Sequence, residues 1–578
     1  MQIEWRLRCA GKTGTLVAGH YNFPLMNAKK KKVLFVIGGG AAALVLVVVI
    51  FALTFNINSY GSRIEAAASR ATGLEVRIKG KMGLSFFPFG VSARDIHVAS
   101  RGDEIIFFES LKLGAELMPL LKTQLKVTSC ELVKPVFTIV KEADGKYNFE
   151  STEKKSTEEG PGAAFSLNEL KVSRGMLVYL DRKTGEKTEF KDFNLAIKDL
   201  SVAGNIIKNA SFTGSLDCKE VLQKDFRIEN LKSPVKAVKG IFNLEPLAIG
   251  ALVYFDRKAG EKTELKEIRL AVKDLLVVET SGQIIKSIAF TGSTDIREIR
   301  KKDLKIDNVK SSIKVEKGVI YLTPLTMDIF GSKAEGDATA DKSEVDAVYK
   351  INVKVSKLDF EKLQGSFGTK KVIGGKGDLY ASLTLKEKGS RKLMDGMEGT
   401  FSLKGDNLVM HTMDLDKVLS SYETSQKFNL VDVGAFFIAG PLSTVALKGY
   451  RYGDVYNQTR GGQGAITQFI SHWKIRDGVA DATDCALATS HNRVALKGRL
   501  DFVGERYDKV IVALLDDRGC AKFKQGISGP FSSPQIGAVS AVESLAGPIF
   551  NLYRKAKRFV QGNRCEVFYN GSVQQPSP

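Results

Sequence analysis

Residues 178–190 read VYLDRKTGEKTEF, and residues 253–265 read VYFDRKAGEKTEL. The match runs well beyond this phrase. LAIKDLSV at 195–202 returns as LAVKDLLV at 270–277, and ASFTGSLD at 210–217 returns as IAFTGSTD at 288–295. FRIENLKSPV at 226–235 becomes LKIDNVKSSI at 304–313, and VKGIFNLEPL at 238–247 becomes EKGVIYLTPL at 316–325. A unit of about 75–78 residues written twice implies a modular, quasi-linear architecture and not one closed core. An active site needs its acids and bases once, whereas a module needs its turns in every copy. Asp181, Arg182, Lys183, Glu186 and Lys187 recur as Asp256, Arg257, Lys258, Glu261 and Lys262. Apolar runs flank both sets, and Gly185 and Gly260 sit inside them. That is the pattern of a strand, a charged hairpin tip and a returning strand.

The period of the apolar residues is two along most of the chain. Leu74, Val76 and Ile78 alternate with Glu75, Arg77 and Lys79, and Ile351, Val353 and Val355 with Lys350, Asn352 and Lys354. Leu379, Ala381, Leu383 and Leu385 follow the same rule, as do Val494, Leu496, Leu500 and Phe502, with Gly498 in the apolar place between. Such strands have one apolar and one polar face. ADGK at 143–146 and KGDN at 404–407 add turn signals. A few helices interrupt the pattern. Ile64, Ala67, Ala68 and Ala71 predict a short one that Gly73 ends, and residues 414–428 lack alternation. Val542, Leu545, Ile549, Leu552, Ala556 and Phe559 mark one face of a last helix, with Arg554, Lys555, Lys557 and Arg558 in its final turns. That helix suits either a membrane surface or packing on the sheet.

Residues 33–55, VLFVIGGGAAALVLVVVIFALTF, contain no charge. As a helix they would extend about 34 Å, enough to cross a hydrocarbon core. Lys29, Lys30, Lys31 and Lys32 precede them and belong on the cytoplasmic side, which sends the chain after Phe55 across the membrane. The stretch is too long for a cleaved signal peptide and no small-residue cleavage site follows it. GKTGT at 11–15 ends like a phosphate-binding loop, but Arg6 stands where the first glycine belongs. Translation is expected to begin at Met26, which makes residues 1–25 an untranslated extension of the true protein, or else a disordered N-terminal extension.

The 578 residues carry a formal charge of +20. Lys and Arg are scattered through the alternating segments and form no aromatic-interleaved stripe, so a nucleic-acid partner is not expected. The six cysteines include no C-x-x-C pair. Cys520 and Cys565 lie near the C-terminus and are a candidate disulfide in an oxidising compartment, the plainer reading being small buried side chains. Histidines 20, 97, 411, 472 and 491 are far apart. Asp477, Asp481 and Asp484 fall between His472 and His491, yet no ligand pair has metal-site spacing. The chain has no G-x-S-x-G, no H-E-x-x-H and no complete phosphate loop. No catalytic residue, metal ligand or cofactor is therefore expected.

Two longer stretches carry a resemblance. RIEAAASRATGLEVRIKGKMGLSFFPFGVSARDIHVAS at 63–100 is followed by GKYNFE at 145–150. ITQFISHWKIRDGVADATDCALATSHNRVALKGRLDF at 466–502 is followed by ISGPFSSPQI at 527–536. Their order, after a basic start and one anchor, resembles the AsmA family of bacterial envelope proteins over nearly all of residues 26–570. The resemblance implies a mainly β fold: one N-terminal transmembrane helix, then an extended, curved, mostly antiparallel β-groove with a few amphipathic helices. It divides the chain into the anchor (26–58), an N-terminal module (59–150), a polar linker (151–165), a repeated groove segment (166–340), a C-terminal module (341–540), and a helix and tail (541–578). It further implies a bacterial inner-membrane protein with its bulk in the periplasm, supporting outer-membrane biogenesis by sheltering and passing phospholipid. A partner protein in the periplasm or outer membrane could complete the path. Ile351, Val353, Val355, Val494, Leu496, Leu500 and Phe502 are the expected groove-facing positions. The rival reading is a non-enzymatic scaffold for outer-membrane proteins. A carrier keeps an exposed apolar floor, and a scaffold buries its apolar face in a closed sandwich.

Overall fold

A computed structural model describes residues 61–576 except 87–88, 101, 117–126, 150–163, 204–208, 258–259, 278–287, 303, 345, 367–372, 388–392, 412–413, 539, 542–565, and 418–461 apart from Leu430, Val433 and Phe437. The expected anchor with Lys29–Lys32, the start at Met26, most of the linker and the final helix lie outside the described residues. No helix among the described residues is long and apolar enough to cross a membrane.

The chain opens with helix α1 (Gly61–Thr72), where the alanine spacing predicts it. Gly73, at φ +71°, ends it and donates its N–H to the Ser69 carbonyl at 2.9 Å. The helix is tied to the first strand: the Ile78 N–H reaches the Glu65 carboxylate at 2.5 Å, and the Val76 N–H reaches Ser69 Oγ at 2.9 Å.

All 27 strands among the described residues join one sheet. The first six are β1 (Glu75–Ile78), β2 (Met82–Phe86), β3 (Phe89–Ser100), β4 (Asp103–Ala115), β5 (Val127–Val133) and β6 (Val136–Lys141). The repeated segment supplies β7 (Ala164–Asp181), β8 (Glu186–Ala203), β9 (Ser211–Gln223), β10 (Phe226–Val238), β11 (Ile241–Asp256), β12 (Glu261–Val277), β13 (Ile288–Lys301), β14 (Leu304–Glu316), β15 (Val319–Ile329) and β16 (Ser332–Asp341). After β17 (Val348–Asp359) comes helix α2 (Phe360–Ser366), then β18 (Ile373–Gly374), β19 (Lys376–Lys386) and β20 (Met397–Met410). The last strands are β21 (Gly464–Arg476), β22 (Val479–Ala488), β23 (Arg493–Asp501), β24 (Arg506–Leu515), β25 (Ala521–Pro530), β26 (Gln535–Ile536) and β27 (Ser540–Ala541). β5 and β6 run parallel to β7; every other pairing is antiparallel, and from β7 to β17 each strand pairs with the next in sequence.

The sequence repeat is four strands long, and the backbone repeats with it. Left-handed residues recur at Asp192 and Glu267, Asp199 and Asp274, Asn230 and Asn308, and Lys239 and Lys317. Glycines of positive φ recur at Gly185 and Gly260, and cis prolines at Pro246 and Pro324. The opening phrase is a pair of hairpin tips, as the turn residues predict: the Asp181 carboxylate accepts the Lys183 and Thr184 N–H groups at 2.9 and 3.1 Å. Those backbone donors hold the Asp181 carboxyl below its ordinary range. The polar face carries the ionic residues in duplicate. Lys191–Glu189 (3.1 Å) and Arg227–Glu220 (2.8 Å) in one unit match Lys266–Glu264 (4.0 Å) and Lys305–Glu298 (3.6 Å) in the next. Such surface pairs contribute little stability each, so their effect is to keep this face wetted.

Beyond β15 the architecture changes. Asp359 caps α2 by accepting the Glu361 and Lys362 N–H groups, and α2 turns Phe360 and Leu363 into a core shared with Leu403, Trp473, Leu500 and Tyr507. Leu430, Val433 and Phe437 complete that core at 0 % exposure. The Trp473 indole N–H donates to Ser471 Oγ at 2.7 Å. The sheet therefore has a first end packed against α1, an open regime from β7 to β13, and a filled one that begins with Phe330 and Ala334 and runs to β25.

Candidate functional site

Strand register lines up apolar residues across the sheet. Val76 opposes Val98, Val98 opposes Ile106, Ile106 opposes Phe137, and Phe137 opposes Leu177. The row continues through Phe190, Val221, Ile228, Leu252, Leu265, Ile299, Ile306 and Ile329. These residues share one face from β1 to β15, a distance of about 60 Å at the usual strand spacing. A second row runs beside it: Phe193, Cys218, Leu231, Ile249, Ile268, Ile296 and Val309.

Between the two rows the alternation slips by one residue in every strand. Asp192, Lys219, Asn230, Gly250, Glu267, Arg297 and Asn308 lie in that line, where the ladder between each two neighbouring strands skips one pair, and all are exposed. On β8, β10, β12 and β14 the residue is left-handed, with φ from 49° to 55°. Bulge-like insertions of this kind bend a sheet. Asp and Asn tolerate the conformation, and here it occurs in alternate strands at one line, which makes a crease. The slip returns the apolar residues on both sides of the crease to the same face, and the polar crease residues point away. The result is a trough with an apolar floor. None of the three buried hydrophobic clusters among the described residues includes a floor residue from β7 to β13. Cys218, Ile249 and Ile268 are nevertheless only 1–7 % exposed, as expected when the sheet folds over its own apolar face. Leu177, Phe190, Ile228, Leu252, Leu265, Ile299 and Ile306 remain half-buried.

The groove positions expected from sequence do not share one environment. Val494, Leu496, Leu500 and Phe502 lie at 0–5 % exposure in the filled C-terminal core, with no open floor before them. Val355 is buried there too, Val353 packs at its margin, and Ile351 is 37 % exposed. The open floor belongs to residues 165–309, where none of the expected groove positions falls. The signal for it is in the sequence as paired apolar residues three apart in mid-strand: FKDF, CKEV, IENL, IGAL, LKEI, IREI and IDNV.

His472 and Asp484 do meet, as register partners on the outer face of the C-terminal sheet, beside Tyr380 and Lys404 in a shallow hollow of about 520 Å³. Burial, and then Lys404, lower the His472 pKa against the pull of Asp484. Asp484 is engaged by the tail, accepting Tyr569 O–H at 2.5 Å and Ser572 N–H at 3.2 Å. No group of His, Cys, Asp or Glu among the described residues is arranged to hold a metal ion. Cys520 is disulfide-bonded and pairs as an isolated bridge with Val567; Cys565 itself lies outside the described residues. Cys130, Cys218 and Cys485 are free. Burial pushes the Cys130 thiol up to about 11 and the Cys485 thiol higher still. In native protein at pH 8, Cys485 is expected to resist maleimide until denaturant is added, and Cys130 to react slowly. Mass-mapping of the labelled residues checks this.

The family model described as AsmA family matches residues 28–246 and 261–485. The chain belongs to the AsmA family. The two matched regions include the trough apart from residues 247–260, which take in most of β11, and most of the strands that close the C-terminal core. No curated protein and no solved structure matches the chain. AsmA membership supports a general role at the cell envelope.

Proposed function

We propose that this AsmA protein shelters and passes phospholipid along the apolar trough, without catalysis. In this reading residues 33–55 hold it in the inner membrane, and its bulk lies in the periplasm. The carrying observation is the apolar row from Leu177 to Ile306, most of whose residues stay half-buried and none of which joins a buried core cluster among the described residues. A floor of that length left open to water is unfavourable unless something apolar occupies it, and each methylene of an acyl chain moved onto it gains about 0.8 kcal/mol. The wetted outer face supports the same reading. Scaffolding of outer-membrane proteins is the second reading, and the filled C-terminal core favours it, since a closed module suits protein contact. The test is to extract full-length protein from membranes and identify co-purifying lipid by mass spectrometry. Phospholipid at near-stoichiometric amount supports the carrier; a lipid-free protein that retains a bound polypeptide supports the scaffold and sinks the carrier.

A further inference from the structure

The two margins of the trough differ in chemistry. One row beyond the Phe190–Leu265 row, towards the tips that carry the repeated phrase, Tyr179 opposes Thr188, Thr188 opposes Gln223, Tyr254 opposes Thr263, and Thr263 opposes Lys301. Phe226 bridges Gln223 to Tyr254 and stacks near the Tyr254 ring at 5.0 Å between centroids. Tyr179 with Tyr254, and Thr188 with Thr263, are the same positions of the repeat. They lie on the apolar face, one step above its floor. No hydrogen bond among the described residues uses the side-chain oxygens of Tyr179, Thr188, Tyr254 or Thr263. The opposite margin is apolar to its end: Phe212 opposes Ala237, Ala237 opposes Phe242, and Phe242 opposes Leu275. Within the floor, the Ser233 and Ser311 hydroxyls are satisfied by backbone carbonyls at 2.7 and 2.8 Å, and the Thr294 hydroxyl, which has no hydrogen-bond partner among the described residues, is buried opposite Ser311 where a headgroup does not reach it.

We infer that the Tyr–Thr row is a headgroup rail: the occupant is an amphiphile whose phosphate accepts hydrogen bonds from these hydroxyls while its tails cross the floor towards Phe212 and Phe242. This rests on the carrier reading. Tyrosine suits such a boundary because its ring is apolar and its hydroxyl is wet. Charge does not choose the edge, because exposed lysines stand at both: Lys183 and Lys224 at the rail side, Lys239 and Lys317 opposite. The hydroxyl row does choose. From Thr263 to Leu275 the strand measures about 40 Å, against roughly 15 Å for the acyl layer of one leaflet, so tails anchored at the rail stay on apolar residues throughout.

The experiment uses full-length protein with Tyr179→Phe, Thr188→Val, Tyr254→Phe and Thr263→Val combined, which removes four hydroxyls and keeps the shape. Binding of a fluorescent phosphatidylglycerol and of a diacylglycerol with the same acyl chains is measured from mixed vesicles. Phospholipid binding is expected to fall about fivefold or more, because each phosphate loses the two hydroxyls of its own Tyr–Thr pair at ~0.5–1.5 kcal/mol each, with diacylglycerol binding nearly unchanged. Equal loss of both lipids, or loss of neither, overturns the rail. Displacement of phosphatidylglycerol by inorganic phosphate also overturns it, since that marks a free-anion site. A Leu252→Lys, Leu265→Lys control separates the two claims: if it too leaves both lipids bound, the trough itself is not the lipid site, and the carrier reading fails with the rail.

Discussion

In the double variant Leu252→Lys, Leu265→Lys, phospholipid co-purifying with the full-length protein is expected to fall at least about tenfold while the fold survives. The two leucines oppose each other in mid-trough, with Ile228 and Ile299 on either side. A fully covered leucine gains about 1.5–3 kcal/mol, so losing two contacts of even half that size exceeds the ~1.4 kcal/mol of a tenfold change. The lysines would also bring charge against acyl chains, which adds to the loss. Folding should tolerate them, because both sites are half-buried and belong to no buried hydrophobic cluster among the described residues, and a lysine stem can lie along the floor with its ammonium in water. Lipid mass spectrometry reads the loss and circular-dichroism melting reads the fold. A folded double variant with a full lipid complement would remove the trough from consideration.

The same substitution has the opposite consequence in the closed module. Val494→Lys is expected to unfold residues beyond β16 and leave them open to protease. Val494 is 0 % exposed between its register partners Leu487 and Leu514, both buried. An unpaired ammonium there has no water within reach, and the cost is about 4 kcal/mol or more. Trp473→Ala is a gentler test of the same core. It removes a fully buried indole whose N–H is bonded to Ser471, and about 3–5 kcal/mol should go with it. Limited proteolysis mapped by mass spectrometry checks both. If the Val494→Lys variant resists protease like the parent, that face is wet and the core is not filled.

These two variants mark what could be read from sequence and what could not. Alternation located the strands, Gly185 and Asp181 marked a hairpin tip, and the alanines before Gly73 marked α1, because each is a local preference of a few residues. The four-strand period was legible in the same way. Whether an apolar face is covered is not a local property. Val494 and Leu252 sit in strands of similar pattern, and they differ because α2, Leu430, Val433 and Phe437 pack into one core with Val494, whereas Leu252 joins no buried cluster among the described residues. Those covering residues are far from Val494 in sequence and show no pattern that names their target. The crease is an intermediate case. Its three-residue spacing in IENL and IDNV breaks strict alternation, and alone it looks like an imperfect strand. Only the alignment of seven such breaks across neighbouring strands turns them into a bend, and that alignment requires the register.

The crease repeated in each four-strand unit has an evolutionary consequence. A copied unit brings its own turns, its own ionic outer face and its own bend, so it joins the existing sheet without redesign of either end. Each duplication would extend the molecule by about 19 Å at unchanged cross-section. Length then becomes a matter of copy number, a ruler lengthened by recombination, while the chemistry at every rung stays the same.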